Sequence, residues 1–159
     1  MEKLFFLIGF MGVGKTYLGQ KLADHLNSDF FDLDFAIEDK AAMDVNEIFR
    51  QKGEEYFRQL ESQILLNWKK PGVTATGGGV ILKKENRDFL KSEKHKVIWL
   101  SPSWDVIYSR ISNSYRPMVL DRTKDELFKL FCEREYLYKE CADIIFEGSE
   151  LKELLKLID

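Results

Sequence analysis

The chain reads as an α/β protein, with strands and helices alternating around a mainly parallel sheet covered on both faces. Three observations predict this. Short apolar runs recur at 4–8, 30–34, 73–76, 96–100 and 143–146, and helical periodicity fills the intervals between them. Alternation of that kind builds right-handed βαβ units. The first apolar run passes straight into a Gly-rich segment and then a helical pattern, an order typical of anion-binding loops. Finally, 159 residues with 45% hydrophobic and 32% charged side chains make one soluble domain of ordinary size, spanning residues 1–159.

Each element follows from its residues. Leu4-Phe5-Phe6-Leu7-Ile8 is a buried first strand. Preceded by Lys3, it imitates a short signal peptide, but no small-residue cleavage site follows and Lys15 interrupts the run. The run is also too short to span a bilayer, so a cytoplasmic protein is expected. Residues 15–26 place Leu18, Leu22 and Leu26 on one helical face. Asp44-Val45-Asn46-Glu47 is an N-cap with Glu at the third helical position, opening a helix through Ile48 and Phe49. Residues 54–68 bring Phe57, Leu60, Ile64 and Trp68 together. Thr123-Lys124-Asp125-Glu126 opens a helix to about residue 141, and Ser149 with Glu150 opens the last. Pro71, Pro102 and Pro117 are each expected in loops.

Composition excludes several classes. A net charge of −3, from 24 basic and 27 acidic residues, argues against a general nucleic-acid or membrane-surface binder. Cys132 and Cys141 form no disulfide framework and no C-x-x-C, so two buried thiols in a reducing compartment are expected. His25 and His95 make no metal-ligand spacing.

The chemistry concentrates in a few segments. Gly9-Phe10-Met11-Gly12-Val13-Gly14-Lys15-Thr16 fits G-x-x-x-x-G-K-[ST] in full. With glycine near 7% of residues, chance gives this pattern in roughly one chain in a few hundred of this length. Glycines let the backbone wrap an anion, successive N–H groups and a helix N-terminus point at it, Lys15 brings charge to β/γ oxygens, and Thr16 offers a hydroxyl to Mg2+. Asp32-Leu33-Asp34 closes the second run, and period-2 alternation places both carboxylates on one side. Alone, this reads equally as a polar strand end with Asp34 as the next N-cap. Gly77-Gly78-Gly79 follows the third run and marks a close backbone approach, or simply a turn. Arg58, Arg110, Arg116 and Arg134 are, singly, most simply solvated charges; together they could grip a carboxylate and phosphates.

Taken in order, these segments resemble the shikimate kinase family. The resemblance rests on the Gly9–Thr16 loop, Phe31-Asp32-Leu33-Asp34, Ile48-Phe49 with Gly53-Glu54 and Phe57-Arg58, Thr76-Gly77-Gly78-Gly79-Val80, Arg116-Pro117, and Arg134 with Tyr138 and Ala142-Asp143. It covers about residues 4–146. It implies a P-loop kinase fold with a five-stranded parallel sheet of order 2-3-1-4-5, a shikimate-binding region near 32–61 and a short lid near 112–122. It implies transfer of the ATP γ-phosphoryl group to the 3-hydroxyl of shikimate, in aromatic amino-acid biosynthesis, and a monomeric enzyme is the expectation.

Carried onto this sequence, the resemblance makes Asp34 the base and the partner of ring hydroxyls, with Lys15 and Arg116 also catalytic. Arg58 and Arg134 would clamp the carboxylate, with Gly77, Gly78 and Gly79 donating backbone N–H groups. ATP would lie on Gly12, Val13, Gly14, Lys15, Thr16 and Tyr17, with Arg110 at the adenine and Arg116 reaching over from the lid. Mg2+ would sit by Thr16 and Asp32. Met118-Val119 stands where the family usually has two leucines, and the tail after Phe146 carries no assignment. The rival readings are another small-molecule kinase, such as one for gluconate or a nucleoside monophosphate, and a non-catalytic binding module.

Overall fold

The computed structural model describes residues 3–158. All five strands form: β1 (Leu4–Ile8), β2 (Phe30–Asp32), β3 (Gly72–Ala75), β4 (His95–Leu100) and β5 (Ile144–Phe146). They pair in parallel in the order β2-β3-β1-β4-β5, the order the resemblance implies. β1 lies at the centre, with Leu7 opposite Ala75 on one side and Ile98 on the other. A strand covered on both faces has no solvent side, so it must be apolar throughout. Phe6, Leu7 and Ile8 are accordingly fully buried. Full burial of each such side chain contributes roughly 1.5–3 kcal/mol before entropy is charged.

The helices are α1 (Lys15–His25), α2 (Leu33–Ala41), α3 (Val45–Lys52), α4 (Glu54–Leu66), α5 (Lys84–Leu90), α6 (Trp104–Ile111), α7 (Pro117–Leu120), α8 (Lys124–Cys141) and α9 (Leu151–Ile158), with one 3-10 turn at Val80–Leu82. Both capping predictions hold. The Asp44 side chain accepts the Glu47 N–H at 2.8 Å, and Thr123 Oγ1 accepts the Glu126 N–H at 3.2 Å. α8 buries Leu127, Phe131, Arg134, Tyr138 and Cys141 along one stripe. A second, smaller apolar cluster of Ile37, Ile48, Phe57 and Leu60 ties α2, α3 and α4 together at one end of the sheet.

Several sequence expectations need correction. The second strand stops at Asp32, not residue 34, because the Asp32 carboxylate accepts the Asp34 N–H at 2.9 Å and starts α2 at Leu33. Asp34 therefore lies in the first turn of a helix, and its relation to Asp32 is not that of alternate strand positions. Trp68 falls beyond the end of α4 and is held by its indole N–H, which donates to Thr74 Oγ1 at 2.9 Å. Pro117 is not in a loop; it opens α7 at the first helical position, where a missing N–H costs nothing. Of the two thiols, Cys141 is buried but Cys132 is exposed. Among the described residues, no helix is long and apolar enough to cross a membrane.

Candidate active site

Strand order brings the chemistry-bearing loops together. β1 and β3 are neighbours, so the loops leaving their carboxyl ends lie side by side. Thr76 stitches them: its N–H and its hydroxyl both donate to the Leu7 carbonyl, at 3.1 and 2.8 Å. Beyond these strand ends opens a cleft of about 760 Å3. Every predicted site residue lines it: Gly12, Val13, Gly14, Lys15, Thr16, Tyr17, Asp32, Asp34, Arg58, Gly77, Gly78, Gly79, Arg110, Arg116 and Arg134.

At one end, the Gly-rich loop leads into α1. Gly14 is the N-cap with φ of 97°, a left-handed turn that a side chain would strain. The Lys15 ammonium bends back over the loop, donating to the Gly9 and Phe10 carbonyls at 2.6 and 3.0 Å. Burial, and then the nearby Arg116 guanidinium, lower its pKa to about 7. Arg110 reaches from α6 onto the same loop, its Nη1 donating to the Gly12 carbonyl at 3.2 Å. Arg116 and Arg110 remain exposed, as arms over a cleft should.

At the other end lies a denser polar cluster. Arg58 and Arg134 are only 7% and 2% exposed, so the solvated-charge reading fails for both. Arg58 Nη1 pairs with Glu61 at 3.0 Å one turn along α4, and its guanidinium lies over the Phe57 ring at 5.1 Å. Gly79 is packed directly against that guanidinium; a Cβ there would overlap it, so a larger residue at this position must push the guanidinium aside. A Cβ on Gly77 would lie 3.0 Å from both Asp34 Oδ1 and Glu61 Oε2, so both carboxylates pack against the same face of the glycine turn. Burial, and then the neighbouring Asp32 carboxylate, raise the Asp34 pKa to about 6. Burial also raises that of Glu61, against the pull of Arg58.

Four buried atoms in this cluster have no hydrogen-bond partner within the protein: Asp34 Oδ1, Arg58 Nε, Glu61 Oε2 and Arg134 Nε. Leaving such a group unsatisfied costs about 1–3 kcal/mol each. Of these, Asp34, Arg58 and Arg134 line the cleft, and a carboxylate set among guanidinium donors suits a ligand bearing both an anionic group and hydroxyls.

The sequence profile of the family described as shikimate kinase matches residues 11–157. The chain belongs to the shikimate kinase family. Members of this family are ATP-dependent kinases that phosphorylate a shikimate hydroxyl. A shikimate kinase of Alkaliphilus oremlandii is 42% identical over 164 residues, covering 98% of this chain and 96% of the relative. One of Staphylococcus aureus is 41% identical, covering 96% and 91%. In three dimensions the chain is similar to the shikimate kinase of Acinetobacter baumannii in complex with shikimate, with a TM-score of 0.86 and 32% identity over 99% of this chain and 93% of that one. The family match extends to residue 157, well past the Phe146 limit expected from the motifs. A sugar kinase of Janibacter, at 18% identity and a TM-score of 0.66, shares the fold alone.

Within this shikimate kinase fold, motif reading missed one residue, Glu61. The signal was available: it sits on the buried face of α4 between Phe57 and Leu65, where an ionisable side chain must have a partner. The same argument applies to Arg134 on the apolar stripe of α8.

Proposed function

We propose that this chain transfers the γ-phosphoryl group of ATP to the 3-hydroxyl of shikimate, within a single domain over 1–159 whose acceptor region spans about 32–61 and whose lid spans about 112–122. One observation carries the reading: Asp34, Arg58 and Arg134, each with a buried polar atom that has no partner in the protein, line a cleft whose other end is the Gly-rich phosphate loop.

The roles follow from chemistry. Arg58 and Arg134 supply forked donors that match a carboxylate, and the N–H groups of the Gly77–Gly79 turn add neutral ones. Asp34 accepts the hydroxyl proton as the hydroxyl attacks, its pKa of about 6 leaving it ionised at neutral pH yet basic enough to help. The phosphates lie along Gly12–Tyr17, and Lys15 exchanges its loop carbonyls for phosphate oxygens. Arg116 closes over them, and Arg110 takes the nucleoside side. Phosphoryl transfer then depends on positioning and on neutralising charge.

Mg2+ is part of the proposal. The exposed Thr16 hydroxyl and Asp32 both line the cleft beside the loop, and one Asp32 oxygen is already committed to capping α2. A hydroxyl, one carboxylate oxygen, phosphates and waters make the sparse, hard-oxygen set that suits this ion, which would shield phosphate charge. α7 touches α3 across the cleft mouth, so Met118 and Val119 pack the lid without the leucine pair; Val119 is 7% exposed. A monomeric, cytoplasmic enzyme completes the reading, resting on the soluble composition and the lack of any spanning helix among the described residues.

The test is product identification. Incubation with MgATP and shikimate should give shikimate 3-phosphate and ADP. Gluconate and nucleoside monophosphates offered in parallel should give none; faster transfer to either would displace shikimate as the substrate.

A further inference from the structure

Tyr138 belongs to none of the roles above, yet it is fully buried at the back of the acceptor pocket. It lies one helical turn beyond Arg134 on α8, and the two side chains share a face. Its ring packs on Trp99 of β4 with centroids 5.8 Å apart. Its hydroxyl donates to the Gly78 carbonyl at 2.5 Å, a bond between residues 60 apart in sequence. Burial raises the phenol's pKa to about 12, while the positive charge of adjacent Arg134 pulls the other way. The hydroxyl is therefore a committed donor across the working pH range.

The bond has a geometric consequence. The chain has no cis peptide among the described residues. In a trans peptide the carbonyl of one residue and the N–H of the next point in opposite directions. Holding the Gly78 carbonyl toward Tyr138 thus turns the Gly79 N–H away from Tyr138, in a turn against which the Arg58 guanidinium also packs. Neither the Gly78 nor the Gly79 N–H finds an acceptor among the described residues. Glycine has few intrinsic constraints, so without an external tie this peptide could turn over easily. Arg134 gains from the same residue, because its Nη1 lies close to Gly78 and its Nε has no partner.

We propose that Tyr138 is a positioning residue for the acceptor: its hydroxyl fixes the Gly78–Gly79 peptide so that the Gly79 N–H faces the substrate, and it steadies Arg134 beside it. Oriented backbone donors bind an anion well only when their direction is set beforehand. The residue acts through Gly78 and Arg134 on the acceptor pocket. This rests on the acceptor-pocket reading given above.

Tyr138→Phe keeps the ring and removes the bond. Shikimate Kd and KM should rise about tenfold, the size of effect a lost buried hydrogen bond produces, while the ATP KM changes less than twofold. The Gly79 amide resonance should shift and broaden. A shikimate affinity within twofold of wild type, or equal rises in both KM values, overturns the proposal. Arg134→Ala run alongside separates the two ideas. If Arg134→Ala weakens shikimate and Tyr138→Phe does not, the positioning role fails and the pocket stands; if neither does, both fail. Should Tyr138→Phe not fold, 3,5-difluorotyrosine placed at 138 alters donor strength at nearly constant size. Shikimate affinity must then change with ATP affinity unmoved, and no change overturns the role.

Discussion

Asp32 caps the helix that carries Asp34, its Oδ1 accepting the Asp34 N–H at 2.9 Å. The bond does two things. It fixes where the strand ends, and it places one carboxylate permanently beside another. Burial, and then that neighbour, raise the Asp34 pKa from the usual carboxylate value to about 6.

The proposed base should therefore show in the pH profile. kcat/KM for shikimate should fall as pH drops through about 6, because protonated Asp34 cannot accept the hydroxyl proton. Asp34→Asn should bind nucleotide normally and lose turnover at every pH. A variant with unchanged kcat removes Asp34 from the mechanism.

The same shift has a stability sign. A carboxyl with a raised folded pKa stabilises the fold below its unfolded value of 3.8, and that contribution is lost as pH rises to about 6. At pH 7 the buried charge then costs on the order of 2–3 kcal/mol, at 1.36 kcal/mol per pKa unit. Asp34→Asn should melt above wild type at pH 8 by about 5 °C, and the gap should shrink toward pH 4. Thermal melts across that range check it, and a gap independent of pH would place the effect elsewhere.

Lys15, with a pKa of about 7 in the free enzyme, is mainly neutral at pH 8. Phosphates replacing the Gly9 and Phe10 carbonyls would favour the ammonium, so nucleotide binding at pH 8 should take up close to one proton. Calorimetry in buffers of different ionisation enthalpy reads this directly. Lys15→Met should abolish both the uptake and phosphoryl transfer.

Arg58 is held by Glu61 and roofed by Gly79. Arg58→Ala should raise the shikimate KM far more than the ATP KM, by about tenfold to a hundredfold for a charged hydrogen bond worth roughly 1.5–3 kcal/mol. Gly79→Ala should give the same split at smaller size, by displacing the guanidinium. Glu61→Leu should also lower the melting temperature, because it leaves the buried guanidinium only the half-exposed Glu54 at 3.6 Å as counter-charge, a loss of up to about 3–5 kcal/mol. Steady-state kinetics with each substrate varied, plus thermal melts, test all three; equal effects on both KM values would move Arg58 out of the clamp.

Arg116, exposed at the start of α7 and close enough to Lys15 to depress its pKa, should act on transfer more than on acceptor binding. Arg116→Ala is expected to cut kcat at least a hundredfold, in line with about 10²–10³ for removing one donor to developing charge. Single-turnover rates at saturating shikimate measure this.

The Gly-rich loop, the two capping boxes and the strand runs were legible because each rests on short-range rules: a φ only glycine adopts, a side-chain oxygen three residues from an N–H, a buried strand with no polar face. The Asp32–Asp34 geometry was not, since a strand running to 34 and a helix capped at 32 suit the same residues. Local pattern could not say which hydrogen bond wins. Glu61 escaped for a different reason. A lone Glu in an amphipathic helix is usually solvated, and only its place on the buried face hinted otherwise. Pro117 was misplaced because proline both breaks helices and starts them.

By itself, then, the order of residues determined the fold class, the phosphate loop and the identities of the charged groups, all of which depend on neighbours within a turn or a strand. Only the folded molecule decided which of those charges lose water, that Arg58 and Arg134 are buried while Arg110 and Arg116 are not, and that Tyr138 reaches Gly78 across sixty residues. Burial and pairing of that kind arise from strand order and helix packing, which bring together segments that no local rule connects.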